Sequence, residues 1–191
     1  MGALWSAPTM ALDSRFTWRR ALPGDTAQLE PLMQAAIAQL LAPYLSVAEV
    51  DASFAIMGLD RQLIEDGTYF VVEHEGRIVG SGGWSGRATL FGGDHSAGRS
   101  ALPLDPATEP ARVRAMYTHP DYTRLGIGRF LLAESERGAA EKGFRRTTLA
   151  ATMAGLPLYR ACLYREVEHF RETTPSGVSV PLVRMEKSLI P

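Results

Sequence analysis

Apolar and polar residues at the start of the chain follow two different periods. Residues 16–22 (FTWRRAL) alternate apolar and polar side chains, and this period of two predicts a half-buried β-strand. The pair Pro23-Gly24 ends that strand. Apolar residues then recur at helical spacing across residues 29–41, so we expect an amphipathic helix with Asp25 as its N-cap.

A second helix and most of the strands follow in the same pattern. Ser46-x-x-Glu49 is a capping box, and it predicts a helix that breaks near Gly58. The remaining predicted elements are strands at residues 68–73, 77–84 and 111–118, a helix at 128–142, a strand at 145–152, a short helix at 156–164, and strands at 168–174 and 178–188. Seven strands and four helices in this order indicate a mixed α/β layer structure.

Residues 85–110 match no regular element, because glycines and three prolines interrupt every pattern. Loops of this length are uncommon inside a compact domain and are often functional. The preceding run, residues 81–85 (SGGWS), is typical of either a bulged strand, which we favour, or a loosely packed edge. The side chains of the loop either contribute to a ligand pocket or stay solvated, and those that matter are Arg87, Thr89, Phe91, Asp94 and His95.

Length and composition bound the domain organisation. The chain has 191 residues, of which 46% are hydrophobic and 21% charged, and this is the size and composition of one globular domain. We expect a flexible tail at residues 1–14 and a single domain over residues 15–191. Either Met1 or Met10 can be the biological start.

Charge and cysteine content exclude several function classes. The net charge is −1, so the positive surplus that nucleic-acid-binding proteins carry is missing. Cys162 is the only cysteine, which excludes an intramolecular disulfide and a cysteine-based zinc site, and we expect no metal. No run reaches the ~18 apolar residues of a spanning helix. We therefore expect a cytoplasmic protein with neither nucleic acid nor membrane as a partner.

The segment Met116–Arg129 (MYTHPDYTRLGIGR) carries the clearest chemistry. It predicts a strand that breaks at a proline and passes through a glycine-containing turn into a helix. Such a junction leaves backbone N–H groups unpaired beside the positive end of the helix dipole, where a pyrophosphate binds readily. Gly126 and Gly128 let a ligand approach the main chain, and Arg124 and Arg129 can add charge-assisted contacts. By itself, a Gly-x-Gly pair is more often a plain turn.

Two other phosphate-binding patterns are absent. A P-loop needs Gly-x4-Gly-Lys followed by Ser or Thr, and a dinucleotide-binding fingerprint needs three spaced glycines in an early βαβ unit. Neither occurs in this sequence. The antiparallel hairpin predicted at residues 68–84, with its turn at Glu75-Gly76, also argues against a doubly wound parallel sheet.

Two stretches of the sequence resemble the motifs of one known family, the GNAT-type N-acetyltransferase superfamily. Its cofactor motif ends a strand as aliphatic-aromatic-x-x-Pro and then runs Gln/Arg-x-x-Gly-x-Gly/Ala into a helix, and residues 116–128 follow this order. A second family motif places an apolar-Tyr pair in a short helix followed closely by Gly-Phe. The matching pairs are Leu158-Tyr159 and Leu163-Tyr164, and the element order is similar from Phe16 to the C terminus.

The resemblance implies an α+β fold with a mixed, mostly antiparallel central sheet of about seven strands and helices on both faces. It also implies acetyl-CoA as the cosubstrate. Main-chain groups of the strand would bond the pantetheine arm, the amides of the turn would hold the pyrophosphate, and one hydroxyl after the next strand would contact the cofactor. The implied residues are Met116, Tyr117, Thr118, Arg124, Leu125, Gly126, Ile127, Gly128, Arg129 and Thr152.

Tyr159 is the candidate catalytic residue. It matches the family's tyrosine that commonly protonates the departing CoA thiolate, and a phenol is able to donate a proton to sulfur. Its helical spacing with Leu156 and Leu163 is equally typical of a core tyrosine whose hydroxyl is satisfied elsewhere.

The chain departs from the family pattern at three places. Thr123 stands where Gln or Arg is usual, so Arg124 would supply the charge, and Leu163-Tyr164 replaces Gly-Phe. The strand at residues 145–152 contains no carboxylate, so a general base from that strand is missing. Other candidates for the base are a chain of waters and the side chains of Glu73, Asp94 and His95.

Two functions are compatible with this resemblance. The first is an N-acetyltransferase that transfers the acetyl group of acetyl-CoA to the primary amine of an unidentified small-molecule or peptide acceptor, by direct attack in a ternary complex. The second is a non-catalytic acyl-CoA-binding regulatory module that keeps the cofactor groove without the acceptor chemistry. A homodimer is compatible with either function.

Overall fold

The computed structural model describes residues 11–189 of the chain. Seven strands form one sheet within this range, and helices pack against it. Most of the predicted tail lies outside the described residues, and so does the choice between Met1 and Met10 as the start.

The sheet is mixed and mostly antiparallel. Its strands are β1 (Thr17–Arg20), β2 (Tyr69–His74), β3 (Arg77–Ser85), β4 (Ala111–Thr118), β5 (Arg146–Ala151), β6 (Arg165–Thr173) and β7 (Ser179–Ser188). They lie in the order β1-β2-β3-β4-β5-β7-β6, and all neighbours are antiparallel except β4 and β5. The predicted fold class is therefore confirmed.

The helices cover both faces of this sheet. They are α1 (Thr26–Leu40), α2 (Val47–Ser53), α3 (Arg61–Glu65), α4 (Ile127–Glu141) and α5 (Leu156–Ala161). Val71 packs in one core cluster with the apolar residues of α1, whereas the next residue, Val72, packs in another with α4. Because successive strand residues point to opposite faces, α1 and α4 lie on opposite sides of the sheet. None of the helices in residues 11–189 is long and apolar enough to cross a membrane.

The region between α1 and β2 differs from the prediction. The capping box is confirmed, since the Ser46 hydroxyl accepts from the Glu49 N–H at 3.3 Å and the Glu49 carboxylate accepts from the Ser46 N–H at 3.0 Å. The helix that begins there, α2, ends at Ser53, and a separate short helix, α3, follows. Gly58 has a φ of 140°, so a helix cannot continue through it. Asp60 caps α3.

Asp25 is the N-cap residue of α1, as predicted, but its side chain makes no capping hydrogen bond to that helix. Its carboxylate instead accepts a hydrogen bond from the Leu22 N–H at 2.7 Å and forms an ion pair with Arg19 at 2.7 Å. The hydrogen bond from Arg19 lowers the pKa of Asp25 below its usual value. The residue therefore connects β1 to the start of α1 through an ion pair between positions six residues apart, which the capping pattern does not encode.

The long connection between β3 and β4, residues 86–110, is folded back on itself. The Ala88 N–H donates to the Leu102 carbonyl at 2.9 Å, and the Leu104 N–H donates to the Gly86 carbonyl at 2.8 Å. These bonds give the loop a hairpin-like base. They hold its tip, around residues 90–93, near the sheet.

Candidate active site

Strands β4 and β5 pair over only two residues each. Ala111 pairs with Thr147, and Arg112 pairs with Thr148; beyond these positions β4 pairs only with β3, and β5 only with β7. The edge of β4 at residues 113–118 that faces β5 therefore borders a gap in the sheet. Because backbone N–H and C=O groups need partners, an extended ligand can add hydrogen bonds along this edge.

A bulge in β4 lies beside the gap. Ser81 pairs with Tyr117, whereas Gly83 pairs with Arg114, so β4 contains one residue more than β3 between these pairs. Ala115 in this segment has a φ of 52°, in the left-handed region. The predicted irregularity is confirmed as a register shift, and its extra residue lies on β4 rather than on β3.

The β4–α4 turn, which we define as residues 123–129, presents free backbone N–H groups. Arg124 and Gly126 have φ values of 63° and 85°, and Gly126 is the N-cap of α4. Within the described part of the chain, no group accepts a hydrogen bond from the backbone N–H groups of residues 124–129. A Cβ atom at Gly126 would meet nothing within 4 Å, so the space before the turn is open. The turn therefore suits an anion.

The side chains of this turn divide into two groups. Leu125 and Ile127 pack against the core, so only their main-chain groups can face a ligand. Arg124 and Arg129 are exposed and form no ion pair with any residue between 11 and 189. Their guanidinium groups can therefore add charge-assisted contacts to an anion.

A cavity of about 90 Å³ opens beside the gap. Four of the predicted site residues line it, namely Met116, Tyr117, Thr152 and Tyr159. Another part of the lining, which we call the apolar wall, consists of Ile56, Met57, Leu90, Phe91 and Leu182. Thr118 and Gly128 lie outside the cavity but close together, since a Cβ at Gly128 would be 3.8 Å from the Thr118 hydroxyl oxygen.

Tyr159 presents a phenol to this cavity. Its hydroxyl group forms no hydrogen bond with any described residue, and its ring packs edge-on against that of Tyr164 with centroids 5.9 Å apart. Burial raises the pKa of Tyr159 above its ordinary value, so the hydroxyl stays protonated at neutral pH. A protonated phenol without a protein partner is able to donate to a bound ligand.

Thr152 links the end of β5 to the start of α5. Its hydroxyl oxygen accepts from the Gly155 N–H at 3.2 Å, and its carbonyl accepts from the Gly155 and Leu156 N–H groups at 3.0 and 3.2 Å. The hydroxyl hydrogen is not used in these bonds, so it remains available as a donor toward the cavity.

The residues around the β4–α4 turn and α5 match a family model. The family described as Acetyltransferase (GNAT) family matches residues 34–163, which is more than half of the chain. The chain belongs to this GNAT acetyltransferase family. The resemblance drawn from the two motifs is thereby confirmed. A search of curated proteins finds no significant match.

Solved structures of GNAT proteins share the fold. A GCN5-related N-acetyltransferase from Rhodopseudomonas palustris is 20% identical, with a TM-score of 0.68, and the alignment covers 94% of this chain and 98% of that chain. A ribosomal-protein-alanine N-acetyltransferase from Brucella melitensis is 20% identical, with a TM-score of 0.61 and coverage of 90% and 99%. The PaiA N-acetyltransferase from Thermoplasma acidophilum, solved in complex with coenzyme A, is 15% identical, with a TM-score of 0.61 and coverage of 91% and 98%.

The three side chains considered as a general base for this GNAT chain do not line the cavity. Glu73 pairs with Arg19 at 2.7 Å, and Asp94 pairs with Arg61 at 2.7 Å. His95 places its Nε2 atom 2.8 Å from a backbone carbonyl oxygen. Each is thus engaged elsewhere. In the described range, no three His, Cys, Asp or Glu side chains are grouped to hold a metal ion.

A buried charge cluster behind the cavity was missed by the sequence analysis. Asp60, which is fully buried, pairs with Arg114 at 2.6 Å and with Arg99 at 2.8 Å. Arg114 also donates to the Gly92 carbonyl, and Arg99 donates to the Gly93 carbonyl at 3.0 Å. The cluster therefore fastens the tip of the long loop to β4. The only available signal was an arginine within a predicted buried strand, which requires a partner.

Burial lowers the pKa of Arg114 from its ordinary value, while the negative charge of Asp60 acts in the opposite direction. Arg114 is also the only charged side chain among the described residues that line the cavity. Because Arg114 pairs with Asp60, its guanidinium is not an isolated positive charge.

Proposed function

We propose that this GNAT protein transfers the acetyl group of acetyl-CoA to a primary amine by direct attack in a ternary complex. The observation that carries the proposal is the gap between β4 and β5, which borders a cavity containing the unpartnered Tyr159 hydroxyl. The free N–H groups of the β4–α4 turn follow the same strand along the chain.

The residues present fit acetyl-CoA. The open space before Gly126, the free N–H groups of residues 124–129 and the unpaired side chains of Arg124 and Arg129 suit a diphosphate. The edge of β4 at residues 116–118 pairs with no strand on the side of β5, so it suits the amides of a pantetheine arm, which would bind as an added strand does. That the Thermoplasma acidophilum structure contains coenzyme A supports this assignment.

The thioester supplies an acyl carbon that is activated toward amines. The chain would orient that carbon beside the acceptor, so that a C–N bond forms as the C–S bond breaks. Tyr159 would donate its proton to the leaving sulfur, and its raised pKa supports this role because the phenol remains protonated. Thr152 would donate its hydroxyl hydrogen to the cosubstrate.

Replacing Tyr159 by phenylalanine tests this assignment. We expect Tyr159→Phe to lower kcat by about a hundredfold or more, because a positioned general acid contributes at least that factor. The affinity for acetyl-CoA, measured by calorimetry, should change little, because the lost hydroxyl has no partner in the free protein. Unchanged kcat would remove Tyr159 from the mechanism.

Tyr164→Phe is the matched control. The Tyr164 ring packs on Tyr159, but its hydroxyl is engaged with that of Thr147 at 2.8 Å and the residue is not part of the cavity lining. This variant should keep kcat within a few-fold of the parent. If acetyl-CoA binds and no amine is ever acetylated, the alternative of a non-catalytic acyl-CoA-binding module is favoured.

A further inference from the structure

The apolar wall gives one part of the cavity a distinct chemistry. Its side chains come from three separate parts of the chain, namely the segment after α2, the tip of the long loop, and β7. Phe91 in this wall packs against Phe170 with ring centroids 6.0 Å apart, so its ring is held in place. Among the described lining residues there is no Asp, Glu, His or Lys.

The electrostatics near this wall disfavour a cation. Arg114 lines the cavity, and the cluster behind it sets two guanidinium groups against the single carboxylate of Asp60. The nearest exposed carboxylate of the loop, Asp94, is already paired with Arg61. An ammonium group entering the cavity would lose its water and find no negative partner.

The protonation state of the amine also favours a neutral acceptor. An alkylamine with the pKa of a lysine side chain, about 10.4, is neutral in only about one molecule in 2,500 at pH 7. A peptide N terminus, with a pKa of about 7.7 to 8.0, is neutral in roughly one molecule in ten. No described side chain that lines the cavity can take a proton from an ammonium group, so we expect the attacking amine to be one that is already neutral. An aromatic amine is almost entirely neutral at pH 7, so it needs no base.

We propose that the acceptor is a small apolar amine that is neutral at pH 7, of the aromatic-amine class. This inference rests on the proposed acetyl transfer. The amine nitrogen forms a bond to the acyl carbon, the C–S bond breaks, and the sulfur takes the proton of Tyr159. The attacking nitrogen then releases a proton to water, and Tyr159 regains one from solvent, so that the products are an amide and free CoA thiol.

Aniline and benzylamine form a matched pair of test acceptors. Both carry one apolar ring, but only benzylamine is charged at pH 7. We expect kcat/KM for aniline to exceed that for benzylamine by at least tenfold at pH 7, measured by release of CoA thiol. For benzylamine, kcat/KM should rise about tenfold per pH unit between pH 7 and pH 9, whereas for aniline it should stay flat. A flat profile for benzylamine, or spermidine used better than aniline, would overturn the inference.

A carboxylate placed in the apolar wall should change the preference. Met57 is half-buried in this wall, so Met57→Glu adds a negative partner for an ammonium group, and Met57→Gln is the neutral control of the same size. The benzylamine-to-aniline ratio of kcat/KM at pH 7 should rise about tenfold in Met57→Glu relative to Met57→Gln. An equal ratio in the two variants would contradict the electrostatic argument.

Failure of this inference can be separated from failure of the proposed function. Turnover with spermidine or a peptide N terminus but not with aniline would refute only the acceptor class. Acetyl-CoA binding without turnover on any acceptor would refute acetyl transfer itself. Preference for hexanoyl-CoA over acetyl-CoA would assign the apolar wall to the acyl chain and overturn its assignment to the amine.

Discussion

The β4–α4 turn and the apolar wall belong to one candidate site, but they are built in different ways. The turn uses main-chain N–H groups whose positions follow from a proline, two glycines and the start of one helix within residues 120–129. The apolar wall uses side chains from segments that are more than a hundred residues apart, Ile56 and Leu182 among them. A binding function that main-chain groups perform can therefore be recognised from a short local sequence pattern. A function that side chains from distant segments perform depends on the whole fold.

The largest expected effect concerns the cluster that fixes the loop beside the apolar wall. Among the described residues, Asp60 is the only carboxylate that forms an ion pair with Arg114 or Arg99, so Asp60→Asn leaves two partly or fully buried guanidinium groups without an ion-pair partner. We expect the free energy of unfolding to fall by about 3 kcal/mol, as measured by denaturant titration. Asparagine keeps a side-chain oxygen that can cap α3, so the loss would report the charge.

Asp94→Asn is the control for that variant. Asp94 also pairs with an arginine, but the Arg61 side chain is 55% exposed, so the change should cost at most about 1 kcal/mol. Equal losses in the two variants would show that the buried cluster is no more important than a surface pair.

A smaller effect is expected in the β4–α4 turn. The double variant Arg124→Gln/Arg129→Gln should weaken acetyl-CoA binding by about tenfold to a hundredfold, because each guanidinium can add a charge-assisted contact. The free energy of unfolding should stay within about 0.5 kcal/mol, because neither side chain has an ion-pair partner among the described residues. Calorimetry at two salt concentrations checks both the loss and its screening.

Arg137→Gln provides the comparison on the same helix. Arg137 pairs with Glu134 and Glu141, in the second half of α4, far along the chain from the turn. Its loss should leave acetyl-CoA affinity unchanged. A comparable loss of affinity would mean that the overall charge of the protein, rather than the turn, attracts the cosubstrate.

The smallest expected effect tests whether the glycine of the second family motif serves to allow a left-handed backbone conformation. Leu163 stands where the family usually has glycine, and its φ is 69°, a conformation that glycine adopts without strain. Leu163→Gly should raise the free energy of unfolding by about 0.5 to 1 kcal/mol, since the side chain is exposed and little packing is lost. Leu163→Ala, which keeps the strain, should not stabilise the protein.

The same contrast explains how much of the fold could be predicted. The seven strands, α1 and α4 were predicted because each carries several periods of a regular pattern. The short helix α3 was missed because its five residues are too few to show a period. The position of Asp25 was predicted but its partner was not, since Arg19 lies on a neighbouring strand and the ion pair is tertiary.

For the candidate site, the sequence led to Tyr159, Thr152 and Phe91, which all line the cavity, but not to the charge cluster behind it. The bond between Asp60 and Arg99 joins positions 39 residues apart, and no local pattern encodes such a pairing. The suggestion that Asp94 or His95 serves as a base came from their place in the long loop, but packing directs both away from the cavity. Which loop side chains face inward is decided by tertiary contacts.

The two-residue pairing of β4 with β5 has a mechanical consequence. The sheet consists of two halves joined at one end. A thioester carrier that lies in the gap would bridge the two halves reversibly and restrain their relative motion. Occupancy by such a carrier should therefore stiffen the whole molecule and protect it from proteases in proportion to the carrier's concentration. Under the proposed function, the lifetime of the protein would then follow the supply of acetyl-CoA.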